Sequence, residues 1–370
     1  MSCRLFPSSL LAALMVGCGT QPKLSSDQVL RVDAAVESER ERQGAVGVAV
    51  GIISNGEIVY LRGYGFADRE EQIPVSLDTM FRWASISKPV TAIAAMQLAE
   101  QGKLNLDDDV RKHVPEFPDK GERITVRDLL CHQGGIVHYS NGRVIRTERE
   151  YDVENPFEDV INALDTFKES PLVAKPGTEY SYTTHGYILL SAVIQRAGGE
   201  PFVDQVRKRI VWPSGAIKLQ PDYQWKEIAN RAVGYRKNDG EIVRDTDTDV
   251  SWKLGGGGFI STIEDLAKFA AALIEGRLLH EDSEKVMWQA QSTAEGKMTK
   301  YGLGFSVSEE NGELKVSHNG SQEKARCRMV IYPESEHGVV VMSNSRFVDP
   351  GRFSTAVYSA LRESGSLSLY

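Results

Sequence analysis

The spacing of apolar and polar residues changes period several times along the chain, and each change marks an element. Ser25-Ser26-Asp27-Gln28 reads as a capping box, and the amphipathic stretch behind it stops at Gly44, which predicts a helix. Residues 45–53 are apolar and β-rich, Asn55-Gly56 is a strong two-residue hairpin signal, and residues 58–61 return as a second strand. A similar unit lies near the other end. Residues 305–308, the turn Asn311-Gly312 and residues 314–316 form a hairpin, and residues 325–332 and 339–342 add two strands. Between these ends the pattern is mostly helical. Residues 89–101 are apolar at Val90, Ile93, Ala94, Met96 and Leu98 and end at Gly102. Residues 186–196 follow, then 261–275, with a capping box from Ser261 to Glu264 and a stop at Gly276. The pattern predicts an α+β fold: an antiparallel sheet from both chain ends (26–84 and 300–370), flanked by helices, with a mostly helical region (85–299) inserted.

Composition narrows the function. The 370 residues are 41% hydrophobic and 25% charged, as in a globular protein rather than a disordered one. Lys+Arg 43 against Asp+Glu 51 leaves a net charge of -8, and no basic tract offsets it, so no nucleic-acid partner is expected. Cys131 and Cys327 show no metal-ligand spacing, so neither a metal site nor a cofactor is expected. Cys327 alternates with Met329 and Ile331 as on a buried strand face; two packed thiols are expected, with pairing of the two cysteines the alternative.

At the amino terminus Arg4 precedes an apolar run over 10–17 that is too short to span a bilayer and suits a signal peptide. Met15-Val16-Gly17-Cys18 resembles a bacterial lipobox, in which the cysteine is lipidated and becomes the mature terminus. The expected organisation is a signal peptide over 1–17, a tether over 18–25 and one catalytic domain over 26–370. The protein would then be exported to the periplasm or cell envelope and held at the membrane through lipidated Cys18 alone. An ordinary secretory signal with an incidental cysteine is the other reading.

Several catalytic signatures are missing: no G-x-S-x-G elbow, H-E-x-x-H, P-loop or G-x-G-x-x-G after a strand occurs. S-x-x-K occurs twice, as Ser85-Ile86-Ser87-Lys88 and as Ser321-Gln322-Glu323-Lys324. Ser85 opens a predicted helix, so Lys88 lies about one turn on and on the same face, and the helix start favours an ionised nucleophile. Ser321 lies in a strand-rich region, where residues three apart point to opposite faces. A serine needs a base, and a lysine serves if burial lowers its pKa; a tyrosine phenolate is a second candidate. Pro176 to Tyr187 supplies Tyr180, Tyr182 and Tyr187, of which Tyr180 and Tyr187 read as packing residues. His132 and His185 read as hydrogen-bonded structural histidines, and Asp107-Asp108-Asp109 as a solvated turn.

Taken together these motifs resemble the serine β-lactamase-related family of class C β-lactamases, low-molecular-mass penicillin-binding proteins and related esterases and peptidases. The marks, in order, are Phe81 to Lys88, Leu104 to Val110, Ile124 to His132, Pro176 to Tyr187, Gly256 to Thr262 and His318-Asn319-Gly320. Ser85 to Lys88 and Val114 to Pro118 are most similar to the mitochondrial branch of the family. The resemblance implies a β-lactamase/transpeptidase-like fold, with Ser85 as acylated nucleophile, Lys88 as its proton acceptor and Tyr182 as proton shuttle. His318-Asn319-Gly320 would stand in the third motif, and the backbone N–H groups of Ser85 and Ser321 would form the oxyanion hole. Thr184 replaces the family's Asn after the tyrosine, and His318 replaces its Lys. The expectation is a serine hydrolase acting through an acyl-enzyme on a small ester or peptide-like amide and weak on β-lactams. The alternatives are a non-catalytic binding or sensing lipoprotein and a self-assembling structural protein.

Overall fold

The computed structural model describes residues 23–362; the expected leader, Cys18 and the tether up to residue 22 lie outside the described residues. Twelve strands occur among the described residues: β1 (Gly47–Ser54), β2 (Glu57–Asp68), β3 (Ile73–Pro74), β4 (Phe81–Arg82), β5 (Gln220–Pro221), β6 (Tyr235–Asn238), β7 (Glu241–Arg244), β8 (Phe259–Ser261), β9 (Ser306–Glu310), β10 (Glu313–Gln322), β11 (Ala325–Tyr332) and β12 (His337–Ser343). Seven of them form one antiparallel sheet in the order β3-β2-β1-β12-β11-β10-β9. The two ends of the chain meet at its centre, where Val48 lies opposite Ser343 and Ile53 opposite Gly338. At the predicted β1–β2 turn, Asn55 and Gly56 both take left-handed backbone angles, with φ 52 and 74, as a tight two-residue hairpin requires.

Central strands are covered on both faces, which is why β1 reads as a continuous apolar run rather than an alternation. Val48, Val50 and Ile52 face a core shared with the helices Ser26–Gln43 and Pro350–Arg362, through Val32, Val36, Phe353 and Val357. Ala49 and Ile53 face the other way, into a larger core built with the inserted region and its helices Ser87–Glu100, His185–Gly198 and Ile263–Ile274. The result is three layers, helices–sheet–helices, in the α+β arrangement that the sequence pattern predicts. No helix among the described residues is long and apolar enough to cross a membrane.

Local signals are reproduced at the first helix: Ser25 and Gln28 form the reciprocal capping box, and Gly44 closes it with φ 70. The later capping box is displaced by one residue. Ser261 belongs to β8, and its Oγ accepts from the Trp83 indole N–H at 2.7 Å. The cap therefore passes to Thr262, whose partner is Asp265 rather than Glu264. Two small sheets, β4-β8-β5 and β6-β7, lie outside the main sheet, the first tying β4 to the inserted region, and their strands of two to four residues are too short to leave a period. Cys131 and Cys327 are both buried free thiols. The Cys327 Sγ–H donates to the Arg82 carbonyl at 2.9 Å, and Met329 and Ile331 share its buried face.

Candidate active site

The short strand β4 delivers the chain to Ser85, and a buried ion pair fixes it. Arg82 lies 2.5 Å from Asp222, both essentially without solvent contact, and Arg231 joins Asp222 at 2.9 Å. Ala84 then adopts φ 47, a left-handed angle that costs a non-glycine residue about 1–2 kcal/mol. Ser85 sits in the 3₁₀ turn Ala84–Ile86 that leads into the helix Ser87–Glu100, so it precedes the helix by two residues instead of opening it. The third-motif strand packs onto this turn. A Cβ at Gly320 would lie 2.4 Å from the Trp83 carbonyl, so only glycine lets β10 approach the backbone next to the nucleophile.

Lys88 is fully buried. Its Nζ lies 3.1 Å from Ser85 Oγ and 3.3 Å from Thr184 Oγ1, and donates to the Gly256 carbonyl at 2.7 Å. The same nitrogen sits 4.8 Å over the Tyr182 ring and 5.7 Å over that of Tyr187. No carboxylate pairs with it among the described residues. Burial, helped by the nearby Lys253 ammonium, holds Lys88 well below the ordinary lysine pKa, which favours the uncharged amine that could accept the serine proton. Tyr182 is held protonated by burial, with its hydrogen bond to Ser85 acting in the opposite direction. Ser85, Lys88, Tyr182 and Thr184 thus form one contact group.

The third motif behaves differently. His318 Nδ1 meets the Asn319 carbonyl at 2.8 Å, and a carbonyl only accepts, so Nδ1 carries the proton. Nε2 is left to accept from the Tyr301 hydroxyl at 2.9 Å. Burial, with Lys88 next, lowers the His318 pKa to about 3, so the ring is neutral. The Asn319 side chain lies on the opposite face of β10, where its Oδ1 accepts from Arg328 at 2.7 Å. The alternation of β10 brings His318, Gly320 and Gln322 to one face and Asn319 and Ser321 to the other. Ser321 lines a cleft of about 660 Å³ beside the site.

Three histidines hold the segment that carries Tyr182 and Thr184. His132 Nδ1 accepts from the Thr183 N–H at 3.2 Å, and His138 Nδ1 from the Thr184 N–H at 3.1 Å. The His185 Nδ1–H donates to the Val137 carbonyl at 2.9 Å. Burial pushes His138 and His185 down to about 4 and His132 well below its usual value, so all three act as neutral braces. His132 also stacks 4.3 Å from the Tyr182 ring. Tyr187 donates to the Leu130 carbonyl at 2.7 Å, a packing role.

Sequence reasoning passed over Lys253, Tyr301 and His138. The first had a local signal, since Lys253 stands just before the run Gly255 to Gly258, whose Gly256 carbonyl holds Lys88. Tyr301 had none, while His138, six residues past the motif that ends at His132, shows no ligand spacing and so gave no signal of its own.

A family model described as beta-lactamase matches residues 32–362. The chain belongs to the beta-lactamase family. Homo sapiens serine beta-lactamase-like protein LACTB, mitochondrial, is 29% identical over 396 residues, covering 81% of this chain and 72% of that protein. The putative penicillin-binding protein PbpX of Bacillus subtilis is 30% identical over 289 residues, covering 77% of this chain and 68% of that protein. Among solved structures, the octameric penicillin-binding protein homologue from Pyrococcus abyssi superposes with a TM-score of 0.75 at 25% identity, over 91% of this chain and 77% of that one. EstCE1, a hydrolase with promiscuous acyltransferase activity, shares the fold with a TM-score of 0.76 at 22% identity, over 90% of this chain and 98% of that one.

Proposed function

We propose that the protein hydrolyses small esters or peptide-like amides through an acyl-enzyme on Ser85. The observation that carries this reading is the fully buried Lys88 side chain, without an ion-pair partner among the described residues, 3.1 Å from Ser85 Oγ. The Ser85 hydroxyl proton passes to Lys88 Nζ as Oγ bonds to the substrate carbonyl carbon. The carbonyl oxygen takes up negative charge, which the backbone N–H groups of Ser85 and Ser321 stabilise. Tyr182, kept protonated by burial, gives its phenolic proton to the departing oxygen or nitrogen as the carbonyl–leaving-group bond breaks. The Lys88 ammonium restores that proton. Water then releases the acid by the same steps in reverse order.

A binding or structural protein has no use for a buried lysine without a counter-charge, which is costly to maintain. The neutral His318, already held by Tyr301, offers no cation for a β-lactam carboxylate, and the single hydroxyl of Thr184 lacks the separate donor and acceptor of an amide. Loss of one such contact typically lowers the rate by one to two decades, or about 1.5–3 kcal/mol. The test is a comparison of a p-nitrophenyl short-chain ester, a D-amino-acid amide and a chromogenic cephalosporin. Clear ester or amide turnover with a slow cephalosporin is expected; a fast cephalosporin with inert esters and amides would reject the proposal.

The same reading takes the apolar run over 10–17 as a leader and Cys18 as a lipidated mature terminus. Membrane fractionation of wild type and of Cys18→Ser tests it. Release or failed processing of the variant is expected, and a wild-type chain cleaved elsewhere and fully soluble would end the idea.

A further inference from the structure

The cleft of about 660 Å³ that Ser321 lines is large enough for an acyl chain and is marked by unpaired positive charge. Arg146, Lys253 and Arg326 all line it, and among the described residues no carboxylate forms an ion pair with any of them. Lys253 is only 8% exposed, and its nearest marked partner is the Trp252 ring at 5.5 Å. Arg326 uses one guanidinium nitrogen on the Gln322 and Ala325 carbonyls, at 3.1 and 2.9 Å. A fourth lining cation, Arg346, is answered outside the cleft by Asp245 at 3.2 Å.

The acidic lining residues offset this set only in part. Asp249, which accepts from the Ser251 N–H and hydroxyl at 2.9 and 2.8 Å, and Glu323 both act on Lys253 at longer range, and Glu323 also acts on Arg326, but neither forms an ion pair with them. Three cations without ion pairs in one concavity are notable in a chain of net charge -8. Lys253 is buried, Arg326 is half-buried and Arg146 is exposed at the rim; a buried cation without a partner is costly, and an anion drawn from solution relieves that cost.

The cleft also has a direction. Its lining takes in Ser321 and Gln322 at the end of β10 and Glu323 just beyond it, on the side of Ser321 away from His318. Tyr182, which protonates the leaving group in the mechanism above, packs beside His318. Ser321, whose N–H serves the oxyanion hole in that mechanism, lines the cleft on the other side, so a leaving group directed to Tyr182 leaves the cleft to the acyl half of the substrate.

The geometry points to an acyl-group subsite for a carboxylate, formed by Arg146, Lys253 and Arg326, so that the preferred substrate is an ester or amide of a dicarboxylic or acidic acyl group. This inference rests on the hydrolase reading, and the test separates the two. The mono-p-nitrophenyl ester of adipic acid, p-nitrophenyl heptanoate and a trimethylammonium counterpart share a leaving group and differ in the charge at the acyl end. The adipate ester is expected to exceed the heptanoate in kcat/KM by about tenfold or more, mainly through KM. That ratio should shrink as salt is raised, and fall towards unity in Arg146→Gln and in Arg326→Gln. Arg146 lies outside the helices and strands, so its variant reports on charge without disturbing them, and Arg146→Lys should retain part of the preference. Turnover of the heptanoate with no advantage for the adipate overturns the subsite and leaves the hydrolase intact. So does a preference for the cationic ester, or a ratio that survives both arginine substitutions. Failure to hydrolyse any of the three overturns the hydrolase reading and the subsite with it.

Discussion

Ser85 and Ser321 carry the same four-residue pattern, and the molecule treats them in opposite ways. At Ser85 the lysine three residues on is folded back by a helical turn, fully buried and aimed at the hydroxyl. At Ser321 the chain is a strand running into a hairpin. Lys324 occupies the turn with φ 66, its ammonium reaches Asp247, and its backbone N–H donates to Asp245 at 3.0 Å. Lys324 is lowered only to about 8, by burial and then by Arg82. The first lysine has no counter-ion, and the second has one. Spacing alone does not make a base; secondary structure sets the direction of the side chain, and burial without a counter-charge sets its protonation.

The largest effects should follow from removing the proton path at the first site. Lys88→Met and Tyr182→Phe should each lower ester turnover by about 10² or more, since a positioned acid or base contributes about that. The double variant should lose far less than the product, because both act on one proton network. Steady-state kinetics of the set checks this, and multiplicative losses would separate the two roles. Because Lys88 must be neutral to act, activity falls as pH drops through its depressed pKa. Lys253→Met removes a nearby positive charge, so it should raise the Lys88 pKa and move the acid limb of kcat/KM for a neutral ester to higher pH.

Next in size is the anchor that aims Ser85. Asp222→Ala leaves Arg82 buried without its partner and should cost about 3–5 kcal/mol in chemical denaturation. Stability should also fall on acidification. His138 and His185 bind protons near 6.5 when unfolded and only near 4 when folded, so between those values the unfolded state binds more protons. Each contributes a loss of about 1.4 kcal/mol per pH unit as pH drops across that window. Denaturation curves at pH 7 and pH 5 measure it, and equal stability at the two would count against neutral histidine braces. The smallest effect belongs to the second serine's lysine. Lys324→Met breaks a pair whose acid is largely exposed, and should cost about 1 kcal/mol or less.

The two regions also differ in how far the sequence describes them. The hairpins at Asn55-Gly56 and Asn311-Gly312 are legible because turn residues and β-rich runs are local signals. The Ser85–Lys88 pair is legible for the same reason, being one helical turn. That His318 is largely neutral at pH 7 follows from the ordinary imidazole pKa, but its tautomer is not legible, since it depends on the Asn319 carbonyl and the Tyr301 hydroxyl. Nor is the side-chain direction of Asn319, which follows from the register of β10 against β11. The displaced cap at Thr262 shows the same limit: pairing with Phe81, far away in sequence, drew Ser261 into a strand. The cleft is assembled from residues between 139 and 346, and no local pattern announces it.

Covalent labelling with a fluorophosphonate, followed by peptide mapping, tests the nucleophile most directly. The label should fall on Ser85, persist in Ser321→Ala and vanish in Ser85→Ala while that variant remains folded. A label on Ser321, or labelling that survives Ser85→Ala, would contradict the assignment.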